Sequence, residues 1–310
     1  MVENVIIIGS GPAGLSAAIY TAREDFKPLM ITGSIAGGQL LLTTAVENYP
    51  GFPEGVQGPE LIDNMTKQAQ KFGTRMINDD VVDVDFSTRP FKVKTAEKVY
   101  EAHTVIIATG ANARMLGIPS EMEHMGKGVS TCATCDGAFF RGKDNVVVIG
   151  GGDTAMEDSN FLTRFVKQVT IIHRKDSFRA SKIMQQHVFS NPKIKVIWNS
   201  TVEEILGKDV TGVEGVRIKD VNTSKESTVP CQGVFIAIGY VPSTAFLKGK
   251  LQLDEQGYII TKEDVLTDIP GVFVAGDNSD RFYRQAGTAA ASGIKAALRV
   301  REFMQNMQQP

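Results

Sequence analysis

The pattern of hydrophobic positions occurs twice along the chain. An apolar, β-branched run at residues 5–8, and again at 146–149, leads into a glycine-rich turn and then into helical periodicity over 15–23 and 156–165. Continuous apolar runs of this kind are typical of strands buried on both faces of a parallel sheet. The repeat therefore predicts two parallel-sheet units built in the same way.

Each copy contains a later apolar run that ends in Ala-x-Gly, at residues 105–110 and 234–239. A further run at 272–275 precedes an alanine-rich helical pattern over 279–297 that has no core of its own. We therefore expect this last strand and helix to return to the first unit. The predicted fold class is α/β, with two tandem Rossmann-like three-layer dinucleotide-binding domains, the second inserted in the first. The predicted domains are 1–113 with 244–310, and 114–243.

The two crossovers between the domains lie near residues 112–119 and 239–244, and both carry proline and small or polar residues, as connectors do. Two adjacent crossovers make a hinge between the domains plausible. Residues 86–94 and 196–221 predict antiparallel strands in a small sheet attached to each domain. The polar residues 301–310 are expected to fray.

Composition and charge narrow the class of protein. A chain of 310 residues suits two domains, and 42% apolar with 22% charged residues is typical of a globular protein. The net charge of −2 gives no signal for nucleic acid or an anionic membrane. No apolar stretch approaches the roughly 18 residues of a spanning helix, and the N-terminal residues show no basic segment of a signal peptide. A cytoplasmic enzyme is expected.

Glycine-rich turns follow the first strand of each copy. Gly9, Gly11 and Gly14 form a G-x-G-x-x-G pattern, and Gly150 and Gly152 occupy the corresponding first positions of the second copy. The first glycine permits a tight turn, the second lets backbone approach a pyrophosphate, and the third lets the helix pack on the strand. The helix N-terminus then offers N–H donors to phosphates. Each turn predicts a dinucleotide site, and the alternative is a turn in an unliganded α/β sheet.

The end of the second strand indicates which nucleotide each turn binds. In the second copy this place holds His173, Arg174 and Lys175, with Arg179 one helical turn later. Cations, where an acid would hold a ribose hydroxyl, favour a 2′-phosphate, so NADPH is favoured over NADH. The alternative is a solvated basic loop. The first copy has Thr32-Gly33 and no acid there, so this rule leaves its cofactor unidentified.

Cys132 and Cys135 form a Cys-x-x-Cys pair just before the second glycine turn. Such a pair is a redox dithiol or half of a zinc site. Zinc would need two further ligands, and the histidines offer no paired spacing, so we expect no metal. Cys231 stands alone on an apolar strand and is expected to be a small buried hydrophobe.

A redox dithiol fed by NADPH requires a carrier, because hydride does not pass efficiently from a nicotinamide straight to a disulfide. A flavin accepts hydride and reduces a disulfide, so the first glycine turn is predicted to bind FAD. Asp136, next to Cys135, is a candidate to give or take the proton that thiolate chemistry needs. The alternative is a turn or N-cap aspartate.

The chain resembles the low-molecular-weight thioredoxin reductases, the class II pyridine nucleotide-disulfide oxidoreductases, over essentially its whole length. Single motifs are shared with other flavoproteins, but the ordered set is highly specific. The motifs are Gly9-Ser10-Gly11-Pro12-Ala13-Gly14, Gly37-Gly38-Gln39-Leu40, Glu47-Asn48-Tyr49-Pro50-Gly51, Ala108-Thr109-Gly110, Cys132-Ala133-Thr134-Cys135-Asp136-Gly137, the 150–155 turn, His173-Arg174-Lys175 with Arg179, and Gly276-Asp277 with Tyr283-Arg284-Gln285-Ala286.

The resemblance implies a set of cofactor-binding residues. Those expected at the FAD are Gly9, Gly11, Pro12, Ala13, Gly14, Thr32, Gly33, Gly38, Gln39, Leu40, Asn48, Val81, Ala108, Thr109, Gly110, Gly276, Asp277, Arg284, Gln285 and Ala286. Those expected at the NADPH are Gly150, Gly152, Asp153, Thr154, His173, Arg174, Lys175, Arg179, Ile238 and Gly239. Asp277 would hold the ribityl chain. The family shares the Thr-Gly variant after the second strand, and Lys175 replaces its usual second arginine.

The resemblance also implies how the protein works. Cys135 would face the flavin, Cys132 would attack the disulfide of thioredoxin, and Asp136 would be the acid–base group. One domain would rotate against the other between half-reactions, and the protein would be a homodimer. A ferredoxin- or flavin-dependent disulfide reductase of the same fold is the alternative enzyme. A non-catalytic, redox-sensing nucleotide-binding protein is the alternative from another class.

Overall fold

The computed structural model describes residues 1–34, 36–42, 45–208 and 212–307. The chain forms two compact units, Met1–Asn112 with Val241–Pro310, and Ala113–Tyr240. The sequence-based boundaries were 113 and 244, so the first lies one residue and the second three residues from those of the structure.

Strands and helices alternate through most of the chain. They are β1 (Val2–Ile8), α1 (Pro12–Arg23), β2 (Leu29–Ile31), β3 (Ala45–Val46), β4 (Val56–Gln57), α2 (Gly58–Lys71), β5 (Arg75–Ile77), β6 (Val81–Asp85), β7 (Phe91–Thr95), β8 (Val99–Ile107), β9 (Ala111–Ala113), α3 (Pro119–Glu123), β10 (Val129–Ser130), α4 (Ala133–Asp136), β11 (Asn145–Gly150), α5 (Asp153–Leu162), β12 (Gln168–Ile172), α6 (Lys182–Phe189), β13 (Ile194–Ile197), β14 (Ser200–Lys208), β15 (Gly212–Asp220), β16 (Glu226–Pro230), β17 (Val234–Ala237), β18 (Tyr240–Pro242), β19 (Val272–Val274) and α7 (Ala286–Met307).

The first unit is built on a sheet with the order β5-β2-β1-β8-β7-β6, and β19 also pairs with β8. β1, β2, β5, β8 and β19 run parallel, whereas β6 and β7 are antiparallel. The pairing of β19 with β8 confirms that the last strand returns to the first sheet. The prediction for 86–94 was wrong in part, because Phe86 lies between β6 and β7. These two strands extend the main sheet instead of forming a separate one.

Both faces of the first sheet are buried, as the continuous apolar runs predicted. Val5 and Ile7 belong to one core cluster, and Ile6 and Ile8 belong to the other. α1 and α7 pack closely, since a methyl group added at Gly293 would lie 2.0 Å from the carbonyl oxygen of Ala13. Only glycine fits at that contact.

The last helix differs from its prediction at both ends. α7 begins at Ala286 and not at 279, because Asp280 Oδ1 accepts hydrogen bonds from the backbone N–H groups of Phe282 and Tyr283 and holds the chain in a turn. Residues 301–307 are helical and not frayed, because Val300 and Met304 are buried against the first core cluster. Residues 308–310 lie outside the described part of the chain.

The second unit contains a parallel sheet in the order β10-β17-β11-β12-β13 and an antiparallel sheet of β14, β15 and β16. The antiparallel pair predicted within 196–221 is confirmed by β14 and β15, although 196–197 belong to the parallel β13 and 209–211 are not among the described residues. The helix predicted over 156–165 runs from Asp153 to Leu162. No helix in the described ranges combines the length and apolar character that crossing a membrane requires.

The two connectors contain β9 and β18, which pair with each other. The N–H of Ser243 donates to the carbonyl of Gly110 at 3.0 Å, and the N–H of Arg114 donates to that of Gly239 at 2.8 Å. Both crossovers are therefore short, hydrogen-bonded strands.

Candidate active site

The first glycine turn is tight at two positions and open at a third. A methyl group added at Gly9 would lie 2.3 Å from the carbonyl oxygen of Ala108, and one at Gly14 would lie 2.0 Å from that of Gly9. No heavy atom lies within 4 Å of the corresponding position at Gly11, and at Gly38 the nearest is the Cα of Gly11, at 3.5 Å. The start of α1, at Pro12 and Ala13, therefore faces a space without side chains, which fits a pyrophosphate.

Ser10 fixes this turn and was missed by the sequence analysis. Its hydroxyl donates to the carbonyl of Thr32 at 2.8 Å and accepts from the N–H of Gly37 at 2.9 Å. It thereby joins the glycine turn to the end of β2 and to the loop before Gly38. A serine between two turn glycines is the only signal that the sequence offered.

The predicted residues after β2 contact one another mainly through backbone groups. Thr32 is buried, and its hydroxyl donates to the carbonyl of Ile77 at 3.1 Å. The N–H of Gly33 donates to the carbonyl of Asp79 at 3.1 Å, and Val81 begins β6 shortly after. The Thr32 hydroxyl is thus bonded to the protein, and this place offers a ligand its backbone and the neighbouring surface.

Several predicted flavin contacts from distant parts of the chain lie together. The side-chain amide of Asn48 donates to Gln285 Oε1 at 3.1 Å, between Arg284 and the start of α7 at Ala286. The amide of Gln39 donates to Asn112 Oδ1 at 2.7 Å, and Leu40 packs against the first core cluster. Asn112 was not predicted, because only the fold brings it to Gln39.

Asp277 follows β19 and carries the most perturbed carboxyl of this unit. Its Oδ1 is shielded from solvent and has no hydrogen-bond partner within the described residues. Burial raises its pKa to about 7, the charge of Asp280 adds to the rise, and Arg284 opposes it. A buried carboxyl without a partner fits a ligand that brings hydroxyl donors, and the ribityl chain of a flavin is such a ligand.

Asn278 is a further residue that the sequence analysis missed. It is fully buried, and its side-chain amide donates to the carbonyl of Ile107 at 3.0 Å and to the hydroxyl of Thr109 at 3.3 Å. It therefore links the end of β8, with Ala108 and Gly110, to Asp277. The N–H of Gly276 is bonded in turn by Ser292 Oγ at 3.1 Å. Taken with the open glycine turn, these groups fit FAD.

The second glycine turn is held by residues that follow the basic loop. A methyl group at Gly150 would lie 2.3 Å from the carbonyl oxygen of Ala237, whereas at Gly152 the nearest atom is Arg179 Nη2, at 3.7 Å. Asp153 Oδ1 accepts from both the N–H and the hydroxyl of Ser181 at 2.8 Å. Asp153 thus anchors the next segment to the start of α5, where Thr154 follows. Ser181 was not predicted.

Three of the predicted basic residues are exposed at the edge of this turn. Arg174, Lys175 and Arg179 are solvent-exposed, and within the part of the chain that the structure describes none of them lies in a salt bridge. The N–H of Arg179 donates to the carbonyl of Gly151 at 2.8 Å. The cluster therefore carries uncompensated positive charge beside the open Gly152. Ile238 and Gly239 follow β17 at the connector.

His173 differs from its basic neighbours. Its pKa is lowered, chiefly because burial penalises the charged form, and the charges of Arg174 and Lys175 add to the effect. Hydrogen bonds to the carbonyls of Ser177 and Gly150 oppose the shift. His173 is therefore neutral near pH 7 and adds no charge to the cluster.

The dithiol lies at the start of α4. Cys132 and Cys135 form a disulfide with a Cα–Cα distance of 5.3 Å. The N–H of Cys135 points at Cys132 Sγ at 3.2 Å, and the hydroxyl of Thr134 lies 3.4 Å from the same sulfur. Both groups would stabilise a thiolate on Cys132 once the disulfide is reduced. The hydroxyl of Tyr240, another unpredicted residue, donates to the carbonyl of Thr131 at 2.7 Å.

Asp136 directly follows the dithiol and is half-buried. Burial raises its pKa, and a hydrogen bond from the Ser130 hydroxyl partly offsets the rise. A carboxyl with a raised pKa keeps a proton nearer neutral pH and can give it to a thiolate. Cys231, by contrast, is fully buried and its pKa is raised to about 12, so its thiol stays protonated. Its predicted place as a buried hydrophobe is confirmed.

Comparisons with known proteins agree on one family. The family model described as "Pyridine nucleotide-disulphide oxidoreductase" matches residues 3–293. A thioredoxin reductase of Rickettsia felis is 55% identical over 304 residues, which cover 97% of this chain and 98% of that protein. A thioredoxin reductase of Streptomyces coelicolor is 51% identical, with 98% and 94% covered. The crystal structure of thioredoxin reductase from Streptococcus pyogenes is similar with a TM-score of 0.93 at 42% identity, over 98% of this chain and 99% of that one.

Proposed function

The chain belongs to the pyridine nucleotide-disulphide oxidoreductase family and, within it, to the low-molecular-weight thioredoxin reductases, and from this premise we propose that it reduces the disulfide of thioredoxin with electrons from NADPH, carried by FAD. The observation that carries the proposal is the disulfide between Cys132 and Cys135, next to Asp136 with its raised pKa. The same unit bears the second glycine turn and the basic cluster.

The first unit would hold FAD. Gly11 and Gly38 leave room for the pyrophosphate at the start of α1, and Asp277 would accept hydrogen bonds from the ribityl hydroxyls. Once bound, a flavin accepts hydride from a nicotinamide and reduces a disulfide. Asn48 and Gln285 already contact each other through their side chains and would help to shape the surroundings of the ring system.

The second unit would hold NADPH. Gly152 and the start of α5 leave the approach to the pyrophosphate open, because the nearest atom to a side chain at Gly152 would be Arg179 Nη2. Arg174, Lys175 and Arg179 would hold the 2′-phosphate, since charge-assisted hydrogen bonds from such side chains are strong. Ile238 and Gly239 would lie beside the nicotinamide end.

The reduced dithiol would act on thioredoxin in two exchange steps. The Cys132 thiolate attacks one sulfur of the partner disulfide, a new S–S bond forms, and the partner's other sulfur leaves as a thiolate that takes a proton from Asp136. The Cys135 thiolate then attacks Cys132 Sγ, which restores the internal disulfide and releases the second partner sulfur. The carried-over pair of electrons ends on the two thiols of thioredoxin.

We propose further that one unit rotates about the connectors between half-reactions. The dithiol and the proposed nicotinamide site belong to the same unit, whereas the proposed flavin site belongs to the other. Both must reach the same flavin, so they do so in turn. An engineered disulfide between the units should therefore permit at most one half-reaction, and full turnover by a verified cross-linked protein would refute the rotation.

A homodimer in the cytoplasm completes the proposal, and its support is the likeness to the family. The mass of the purified protein in solution, measured by light scattering, tests the dimer. A single-chain mass at working concentrations contradicts it.

Half-reaction spectroscopy tests the proposed activity. The purified protein should show flavin absorbance that NADPH bleaches without oxygen and that thioredoxin disulfide restores. Cys132→Ser and Cys135→Ser should keep the bleaching and lose thioredoxin reduction, and Cys135→Ser should trap a mixed disulfide through Cys132. Cys231→Ala is the matched control, because it removes a thiol that takes no part. A flavin that ferredoxin or reduced flavin bleaches and NADPH does not would indicate the alternative enzyme.

A further inference from the structure

His173 occupies the space directly over the second glycine turn. A methyl group added at Gly151 would lie 2.2 Å from Cε1 and 2.4 Å from Nδ1 of His173. Gly151 is not among the residues with a left-handed backbone, so an alanine there meets no backbone strain. The imidazole ring, and not the conformation of the turn, is what demands a glycine at this position.

The ring is held from several sides. Nε2 of His173 lies 3.1 Å from the carbonyl oxygen of Ser177. Its centroid is 5.5 Å from that of Phe178 and 6.1 Å from that of Trp198. The backbone of His173 is also fixed, because its N–H donates to Ile197 and its carbonyl accepts from Ser200. The orientation of the ring is therefore set by contacts that do not depend on a ligand.

Gly151 contacts both ends of the basic loop. The ring of His173 lies against it at the start of the loop, and its carbonyl accepts the N–H groups of Arg179 and Ala180 at 2.8 and 3.1 Å at the end. We propose that His173 is a positioning residue whose ring, wedged against Gly151, sets the place of Arg174, Lys175 and Arg179 relative to the glycine turn. This inference rests on the proposed NADPH site and assigns His173 a role other than binding the phosphate.

The charges around His173 argue against a role as a phosphate ligand. The side chains that act on its titration are Arg174 and Lys175, which disfavour its charged form, together with the carbonyls of Ser177 and Gly150. A neutral imidazole adds little attraction for a phosphate, whereas its volume and its hydrogen bond to Ser177 hold the loop.

A double-mutant cycle tests the wedge. Gly151→Ala and His173→Ala should each raise KM for NADPH relative to KM for NADH by about 10- to 100-fold, because displaced binding groups lose affinity steeply. The double variant should be no worse than His173→Ala alone, since the added methyl then meets no ring. Losses that add in the double variant, or an unchanged nucleotide preference in both single variants, would overturn the proposal.

Binding without turnover gives a second readout. Trp198 is the only tryptophan of the chain, so its fluorescence follows NADP⁺ and NAD⁺ binding at this site. The ratio of the two dissociation constants should stay flat between about pH 6.5 and 8.5, whereas a cationic ligand role would make NADP⁺ binding strengthen as pH falls. His187→Ala removes an exposed histidine on α6 and is the control. If NADPH fails to reduce the flavin of the unmodified protein, the proposed function falls; if it reduces it and the variants keep the normal preference, only the wedge falls.

Discussion

The backbone N–H of Cys132 donates a hydrogen bond to the Ser130 hydroxyl at 3.0 Å. The same buried hydroxyl bonds to the Asp136 carboxyl and lowers its pKa, against the larger effect of burial. Ser130 therefore connects the cysteine that we assign as nucleophile with the group that we assign as proton donor. Its contacts, and not its position in a motif, identify it.

Removing this hydroxyl should move a pH profile. Ser130→Ala takes away the hydrogen bond that lowers the pKa of Asp136, so that pKa should rise further. Because the protonated carboxyl is the donor, the alkaline fall of kcat/KM for thioredoxin should shift to higher pH. Ser190→Ala, at the exposed C-terminus of α6, is the control. An unchanged or lowered midpoint contradicts the assignment.

Asp136→Asn should separate the two half-reactions. An amide cannot give up a proton, so thioredoxin reduction should slow by about 10²- to 10⁴-fold, the usual contribution of a positioned acid or base. Flavin reduction by NADPH should keep its rate, because it does not involve the dithiol. Stopped-flow absorbance of each step measures the difference. A loss of both rates would point to a structural defect instead.

The raised pKa of Asp277 predicts how stability of the flavin-free protein depends on pH. Because the folded value of about 7 exceeds the usual carboxyl value, the protonated form is favoured by folding. Stability is therefore greatest below about pH 4 as far as this group is concerned, and is lost as pH rises to about 7, on the order of 4 kcal/mol in all. The Tm of flavin-free protein should fall less between pH 5 and 8 in Asp277→Asn than in the parent.

The flavin supplies a second measurement on Asp277. Hydroxyl donors should lower the pKa of this carboxyl, so FAD binding near pH 7 should release protons. Calorimetry in buffers of different ionisation enthalpy counts them, and Asp277→Asn should abolish the release. Equal proton release in parent and variant would show that Asp277 does not face the flavin.

The sequence predicted those parts of the fold that depend on local patterns. The apolar runs of β1 and β11 became central strands of parallel sheets, because such runs can be buried on both faces. The start of α7 was missed because it depends on one side chain, Asp280, which bonds the backbone ahead of the helix. Its end was missed because the polar pattern hides Met304, which only the packed core reveals.

The candidate site shows the same division. Gly9, Gly14 and the cysteine pair follow from spacing, since their chemistry requires those residue types at those distances. Asn278 and Ser181 act through bonds to residues far away in the chain, Ile107 and Asp153, and no local pattern signals such contacts. The neutral state of His173 likewise depends on burial, which its basic neighbours in the sequence conceal.

Nucleotide choice is the prediction for which the chain departs from its family. Arg174, Lys175 and Arg179 are exposed and unbalanced by carboxylates within the described residues. An arginine grips phosphate through a planar fork, whereas a lysine is a point charge, so Lys175 keeps attraction and loses geometric precision. Charge-assisted hydrogen bonds contribute about 1.5–3 kcal/mol each. Two or three of them should outweigh the exchange, so NADPH should exceed NADH by at least about tenfold in kcat/KM.

Substitutions within the cluster make this prediction sharp. Replacing Arg174 and Arg179 together with Ala should raise KM for NADPH strongly and leave KM for NADH nearly unchanged, because only the 2′-phosphate loses its partners. Lys175→Arg should change little or modestly sharpen the preference, and it serves as the charge-conserving control. The advantage of NADPH should also shrink as salt rises, since exposed charges are screened. Equal use of both nucleotides by the unmodified enzyme would show that the cluster is a solvated loop and not a phosphate site.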